Sequence, residues 1–131
     1  MIGLDTNVLL RAVANDDPVQ SPRARALLSS LSKPAAAVVN VVTLVEFAWT
    51  LRSRYRYRRS EIDRIIELLL RSPVDLVLER DAVNEALVRC RDEGLDFADA
   101  LVGELNLAAG CKTTWTFDHK ASTSTAFGAV P

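Results

Sequence analysis

Short apolar runs alternate with stretches of helical period along this chain, and that alternation already suggests a fold class. Met1–Asp5, Ala37–Val42, Asp75–Leu78 and Thr113–Phe117 are short β-rich or apolar runs. Each is short enough for a buried strand, and the middle two lack polar alternation. Between them the period becomes helical. Ala24, Leu27, Leu28 and Leu31 share one face, with Ser21 as the expected N-cap and Pro22 at the first helical position. Ile62, Ile65, Ile66 and Leu69 repeat the pattern after a Ser60 cap, and Pro73 stops that helix. Phe97, Leu101, Leu105 and Ala108 give the last long helix its apolar face, while Gly94 and Gly110 sit where C′ glycines end helices. The order β-α-α-β-α-α-β-α-α-β predicts an α/β fold, a three-layer α/β/α domain with a mainly parallel four- or five-stranded sheet.

Composition narrows the class without changing it. With 131 residues, 49% hydrophobic and 25% charged, the chain has the balance of an ordinary globular protein and the length of one domain, 1–131. No repeat or low-complexity linker breaks it. No apolar run reaches the roughly 18–20 residues of a membrane span. Met1 opens straight into Ile-Gly-Leu-Asp with no basic-then-apolar leader, so the expected location is cytoplasmic. The net charge of −1 gives no global pull toward nucleic acid, so any such contact must come from a local patch. Cys90 and Cys111 have no CxxC spacing, Cys90 falls on the apolar stripe Val83, Ala86, Leu87, and the single His119 excludes a histidine-rich zinc site.

The carboxylates are the chemical signal. In an open parallel sheet, ligands bind beyond the carboxyl ends of the strands. Asp5 closes the first run, Glu46 follows the second by way of Thr43, Asp118 closes the last, and Asp96 and Asp99 flank the start of the helix before it. Crowded carboxylates repel one another, and a divalent cation is the usual resolution. With oxygen ligands only, Mg²⁺ or Mn²⁺ fits best, which points to metal-assisted phosphodiester hydrolysis by an activated water. Each acid also has a purely local reading. Thr43-x-x-Glu46 matches a capping box, Asp96 an N-cap, Asp99 a first-turn acid and Asp118 a turn initiator. Asp5 is the hardest to explain locally, because a carboxylate ending a core strand is costly without a partner.

Two other enzyme classes fit less well. A phosphatase of the haloacid-dehalogenase type also carries an Asp after its first strand, but its second Asp falls here on Asn7. No GxxxxGK(S/T) loop or GxGxxG turn is present, which removes nucleoside-triphosphatase and dinucleotide-binding readings.

Taken together, the motifs resemble a known family. Ile2-Gly3-Leu4-Asp5-Thr6-Asn7-Val8-Leu9, Val45-Glu46, Asp96-Phe97-Ala98-Asp99-Ala100-Leu101 and Thr116-Phe117-Asp118 resemble PIN-domain ribonucleases, and in particular the VapC-type toxins of bacterial toxin–antitoxin pairs. The resemblance runs along essentially the whole chain. It implies a PIN fold, Mg²⁺- or Mn²⁺-dependent endoribonuclease activity, a homodimer and a cognate antitoxin protein that covers the acidic cleft. It places the catalytic acids at Asp5, Glu46, Asp99 and Asp118, with Asp5, Asp99 and Asp118 on the metal. Thr6, Asn7 and Thr116 fall where the family orients its carboxylates, and Asp96 reads as a cap or supporting group. The alternative is a catalytically silent PIN domain that binds RNA or a partner, but degenerate members are expected to lose acids and the quartet here is complete. The small, polar tail Ser122–Pro131 lacks the apolar closing strand of many relatives, which argues against a fifth strand.

One segment stands apart from the acids. Arg52, Arg54, Arg56, Arg58 and Arg59 interleave with Tyr55 and Tyr57. They are candidates for RNA phosphate contact and base stacking, or for docking an acidic partner segment. The local reading is the solvated end of a helix begun at Thr43.

Overall fold

Each short apolar run contains a strand in the structure, a computed structural model that describes residues 1–131. The chain falls into two compact units, Met1–Leu78 and Glu79–Pro131. No helix is long and apolar enough to cross a membrane.

In the first unit, β1 (Ile2–Gly3), β2 (Ala37–Val39) and β3 (Asp75–Val77) form a parallel sheet in that order. Ile2 pairs with Ala37, and Val39 with Val77. The central β2 buries Ala37 and Val39, which share one face, completely, and leaves Val38 on the other face half-buried. Parallel strands need crossovers, and two helices supply each one. These are α1 (Thr6–Ala14) with α2 (Gln20–Ser30), then α3 (Val41–Ser53) with α4 (Arg59–Arg71). Leu44, Phe47 and Leu51 of α3 and Ile66 of α4 are fully buried. Each such side chain stabilises the fold by about 1.5–3 kcal/mol.

Helix starts differ from the sequence reading wherever another side chain caps better. α2 begins at Gln20, not after Ser21, because Asp17 Oδ1 accepts the backbone N–H groups of Val19 and Gln20 at 2.9 and 2.7 Å. Ser21 is instead buried inside the helix. α4 starts after Arg58 rather than Ser60, with the Arg58 N–H bound by Glu61 Oε1 at 3.1 Å. α3 starts at Val41, capped by Asn40 Oδ1 on the Thr43 N–H at 2.9 Å.

In the second unit, α5 (Arg80–Glu93) and α6 (Phe97–Ala108) pack against each other, burying Val83, Ala86, Leu87, Ala100 and Leu101. Gly94 ends α5 in the left-handed conformation expected of a C′ glycine. The following strands, β4 (Thr114–Thr116) and β5 (Phe127–Ala129), pair in parallel as a separate two-stranded sheet. The tail therefore does contain a fifth strand, against the expectation. Gly103 of α6 makes room for it, since a Cβ there would stand 2.8 Å from the Phe127 ring and 3.0 Å from Ala126 Cβ. Arg89 of α5 ties this unit together. It pairs with Glu104 at 2.6 Å and with Glu93, and donates to Thr125 Oγ1 at 2.8 Å.

Candidate active site

The end of β1 delivers Asp5 directly to the N-cap position of α1, yet its side chain makes no capping bond. The carboxylate thus has no local structural job and stays exposed at the carboxyl edge of the sheet. Thr6, one residue on, is buried and donates its hydroxyl to Glu46 Oε2 at 2.8 Å. Asn7 is exposed at the same helix start. Because β1 and β2 are parallel, the helix after each starts at the same sheet edge, which brings these residues and α3 together. Thr43 Oγ1 reaches the Leu4 carbonyl at 3.5 Å, at the limit of a hydrogen bond. Glu46 lies in the second turn of α3, one turn later than its sequence position suggested, and the capping-box reading fails because Asn40 caps the helix. Its partner is Thr6 on another element, so the contact was invisible to local patterning.

The second unit holds three more acids. Asp96 is the N-cap residue of α6, without a side-chain capping bond, and Asp99 lies in the first helical turn. Burial raises the Asp99 pKa above the usual carboxylate range, and the negative charges of Asp118 and Asp96 push the same way, against Lys120. Asp118, Asp96 and Lys120 therefore lie within electrostatic reach of Asp99. Asp118 follows β4, where Thr116 Oγ1 accepts its backbone N–H at 3.0 Å. Thr116 thus fixes the Asp118 main chain rather than its carboxylate. Asp118 Oδ1 accepts the Ala121 N–H at 2.8 Å, starting the 3₁₀ turn Ala121–Thr123, so the turn-initiating reading holds as well.

A metal can be tested against these groups through their chemistry. Every candidate donor is an oxygen, the set that suits Mg²⁺ or Mn²⁺ rather than a softer ion. Within neither unit do three or more acids, histidines or cysteines form a preformed cage. Asp99 carries the burden that a cation would relieve: a carboxylate disfavoured by burial and by two like charges. The residues fit a hard divalent ion.

The arginine–tyrosine segment begins in the last turn of α3 and continues past it. Tyr55 donates its phenol to Asp16 at 2.7 Å and accepts from Arg11 at 3.2 Å, a contact within the first unit. Arg58 pairs with Glu61 at 3.0 Å, and Arg52 reaches the Tyr57 carbonyl at 3.3 Å. Arg54 and Arg56 are exposed. Cys90 is buried and Cys111 exposed, and neither is in a disulfide.

Parallel strands joined by pairs of helices, with Asp5 directly after the first strand, describe an α/β fold. The chain belongs to the PIN domain family, whose family model matches residues 2–124. PIN domains are generally metal-dependent nucleases, and PIN nucleases bind RNA. A search of curated proteins finds no match to this chain.

Proposed function

We propose that this PIN domain is a metal-dependent endoribonuclease and the toxin of a type II toxin–antitoxin pair, cytoplasmic and homodimeric, with residues 1–131 working as a single domain. Asp5, Glu46, Asp99 and Asp118 are its catalytic acids. Asp5, Asp99 and Asp118 would hold Mg²⁺ or Mn²⁺, whose bound form supplies Lewis acidity and a more acidic water. The observation that carries this reading is the PIN-domain match over residues 2–124, within which all four acids fall.

The chain's own groups then divide the work. Thr6 holds one oxygen of Glu46, leaving Glu46 oriented to take a proton from the attacking water. Thr116 and the Ala121 N–H fix Asp118. Asp96 supports Asp99 from the preceding turn, and Asn7 orients Asp5. The water oxygen bonds to phosphorus, the P–O3′ bond breaks, and the leaving oxygen gains a proton. Arg52, Arg54, Tyr55, Arg56 and Arg58 contact the RNA or the antitoxin. Inhibition by an antitoxin arginine would follow from its pairing with these carboxylates in competition with the metal.

End-group analysis tests the mechanism. Hydrolysis by water gives 5′-phosphate and 3′-hydroxyl termini. Termini carrying 2′,3′-cyclic phosphate would mean that the ribose 2′-hydroxyl is the nucleophile, and the proposed roles of the acids would be wrong.

A further inference from the structure

A polar network in the second unit, apart from the candidate acids, centres on Arg89. Its side chain is only 14% exposed, and its guanidinium serves three elements at once. Nε and Nη2 donate to one oxygen of Glu104 on α6, at 2.7 and 2.6 Å, and Nη1 pairs with Glu93 one turn along α5. The same Nη1 donates to Thr125 Oγ1 at 2.8 Å, in the segment between the 3₁₀ turn and β5. Two carboxylates on one guanidinium leave a negative charge over, and Glu93 turns it on the same segment. Its Oε2 accepts the Thr125 backbone N–H at 2.8 Å, and its Oε1 accepts the Thr125 hydroxyl at 3.2 Å. Arginine suits this place because its planar fork presents five N–H donors, whereas a lysine ammonium is a single point.

The segment that Arg89 grips is continuous with Asp118. The Ser124 N–H bonds the Ala121 carbonyl at 2.9 Å, the Ala121 N–H bonds Asp118 Oδ1 at 2.8 Å, and the Ser122 N–H bonds the Asp118 carbonyl at 3.0 Å. Ala121, Ser124 and Ala126 are buried, so the segment packs into the unit instead of lying loose on it. On its other side the guanidinium holds α6, which carries Asp99 in its first turn. Arg89 thus joins the two elements that bear Asp99 and Asp118, and these acids lie close enough to act on each other electrostatically.

We propose that Arg89 is a positioning residue: by tying Thr125 to Glu104 it fixes the spacing of Asp118 and Asp99, and with it the affinity of that pair for a divalent cation. This rests on the nuclease reading above, in which the two acids share the metal.

The test uses the full chain and three variants. Thr125→Val keeps the shape but removes the hydroxyl that Arg89 grips, Thr125→Ser restores a hydroxyl, and Arg89→Lys keeps the charge but not the fork. Thr125 is exposed, so its variants should melt close to the wild type and keep the test valid if Arg89→Lys is poorly folded. In metal-free protein, Thr125→Val and Arg89→Lys should speed hydrogen exchange at the Ala121 and Ser122 amides about tenfold, with α5 and α6 amides unchanged. Mn²⁺ affinity, read from free Mn²⁺ by electron paramagnetic resonance, should fall about tenfold in both, and Thr125→Ser should restore both readouts. In cleavage assays the metal concentration for half-maximal rate should rise while the KM for RNA stays the same.

Exchange at Ala121 and Ser122 that does not change in either variant would overturn the clamp. Faster exchange with unchanged Mn²⁺ affinity would overturn it too, because the tie would then be structural alone. The two readings fail separately. Cutting with unaltered metal dependence in Thr125→Val and Arg89→Lys removes the positioning role and leaves the nuclease. A chain whose Mn²⁺ affinity follows the Thr125 series but which cuts no RNA removes the nuclease and leaves the positioning role.

Discussion

Asp99, proposed above as a catalytic acid, is held where ionisation is disfavoured. Burial and the charges of Asp118 and Asp96 raise its pKa in the folded state, so the fold favours the protonated acid. The sign follows: this group's contribution is most favourable at low pH and worsens as pH rises through the carboxylate range toward the raised folded value. Above that value the ionised acid is a standing penalty. Asp99→Asn should therefore raise the melting temperature of the metal-free protein at neutral pH by about 1–3 °C, while removing activity. Added Mg²⁺ should stabilise the wild type and do little for the variant, as differential scanning fluorimetry would show. A lower melting temperature for metal-free Asp99→Asn would mean that the acid is structurally stabilising, which contradicts the crowding argument. Thr6 offers a complementary case. Thr6→Val keeps the shape but removes the hydroxyl that holds Glu46. Activity should fall about 10–100-fold with a much smaller loss of stability, measured as kcat beside a urea melt.

At the scale of elements, caps and ties set where the acids stand. Asn40 rather than Thr43 starts α3, so Asn40→Ala should cost about 1 kcal/mol and Asn40→Asp much less, read from chemical denaturation. In the second unit, burial opposes ionisation of Glu93, but hydrogen bonds from Ser124 and Thr125 and the charge of Arg89 prevail and hold its carboxyl below the usual range. That stabilisation is in place above the unfolded glutamate pKa of about 4.3 and is lost as pH falls through the folded value. Glu93→Gln should thus melt well below wild type at neutral pH, with the gap narrowing in acid. The strand–helix order was legible in the sequence because short apolar runs and helical stripes differ in period. The cap positions were not, because Asp17 and Asn40 reach forward into helices that local rules assigned to Ser21 and Thr43. β5 was missed for a related reason. A three-residue strand carries almost no periodic signal, and what admits it is Gly103, a glycine on a different element.

For the whole molecule, the sequence showed which acids follow strands, Asp5 after β1 and Asp118 after β4. It did not show the partners of the acids, because Thr6 and Glu46 lie 40 residues apart in sequence. The match to the PIN domain family spans residues 2–124 and so takes in most of both compact units. If the two work as one domain, as proposed, Trp49 in the first and Trp115 in the second should report coincident urea transitions in single-tryptophan variants. Separate transitions would show two independently folding parts. The most direct test of the central claim is cleavage of a labelled structured-RNA pool by partner-free protein, in Mg²⁺, Mn²⁺ or EDTA, with Asp5→Asn and Asp99→Asn alongside. The account predicts cutting with either metal, none in EDTA, and loss of about 100-fold or more in each variant. Cutting that persists in EDTA, or in either variant at the wild-type rate, would contradict it.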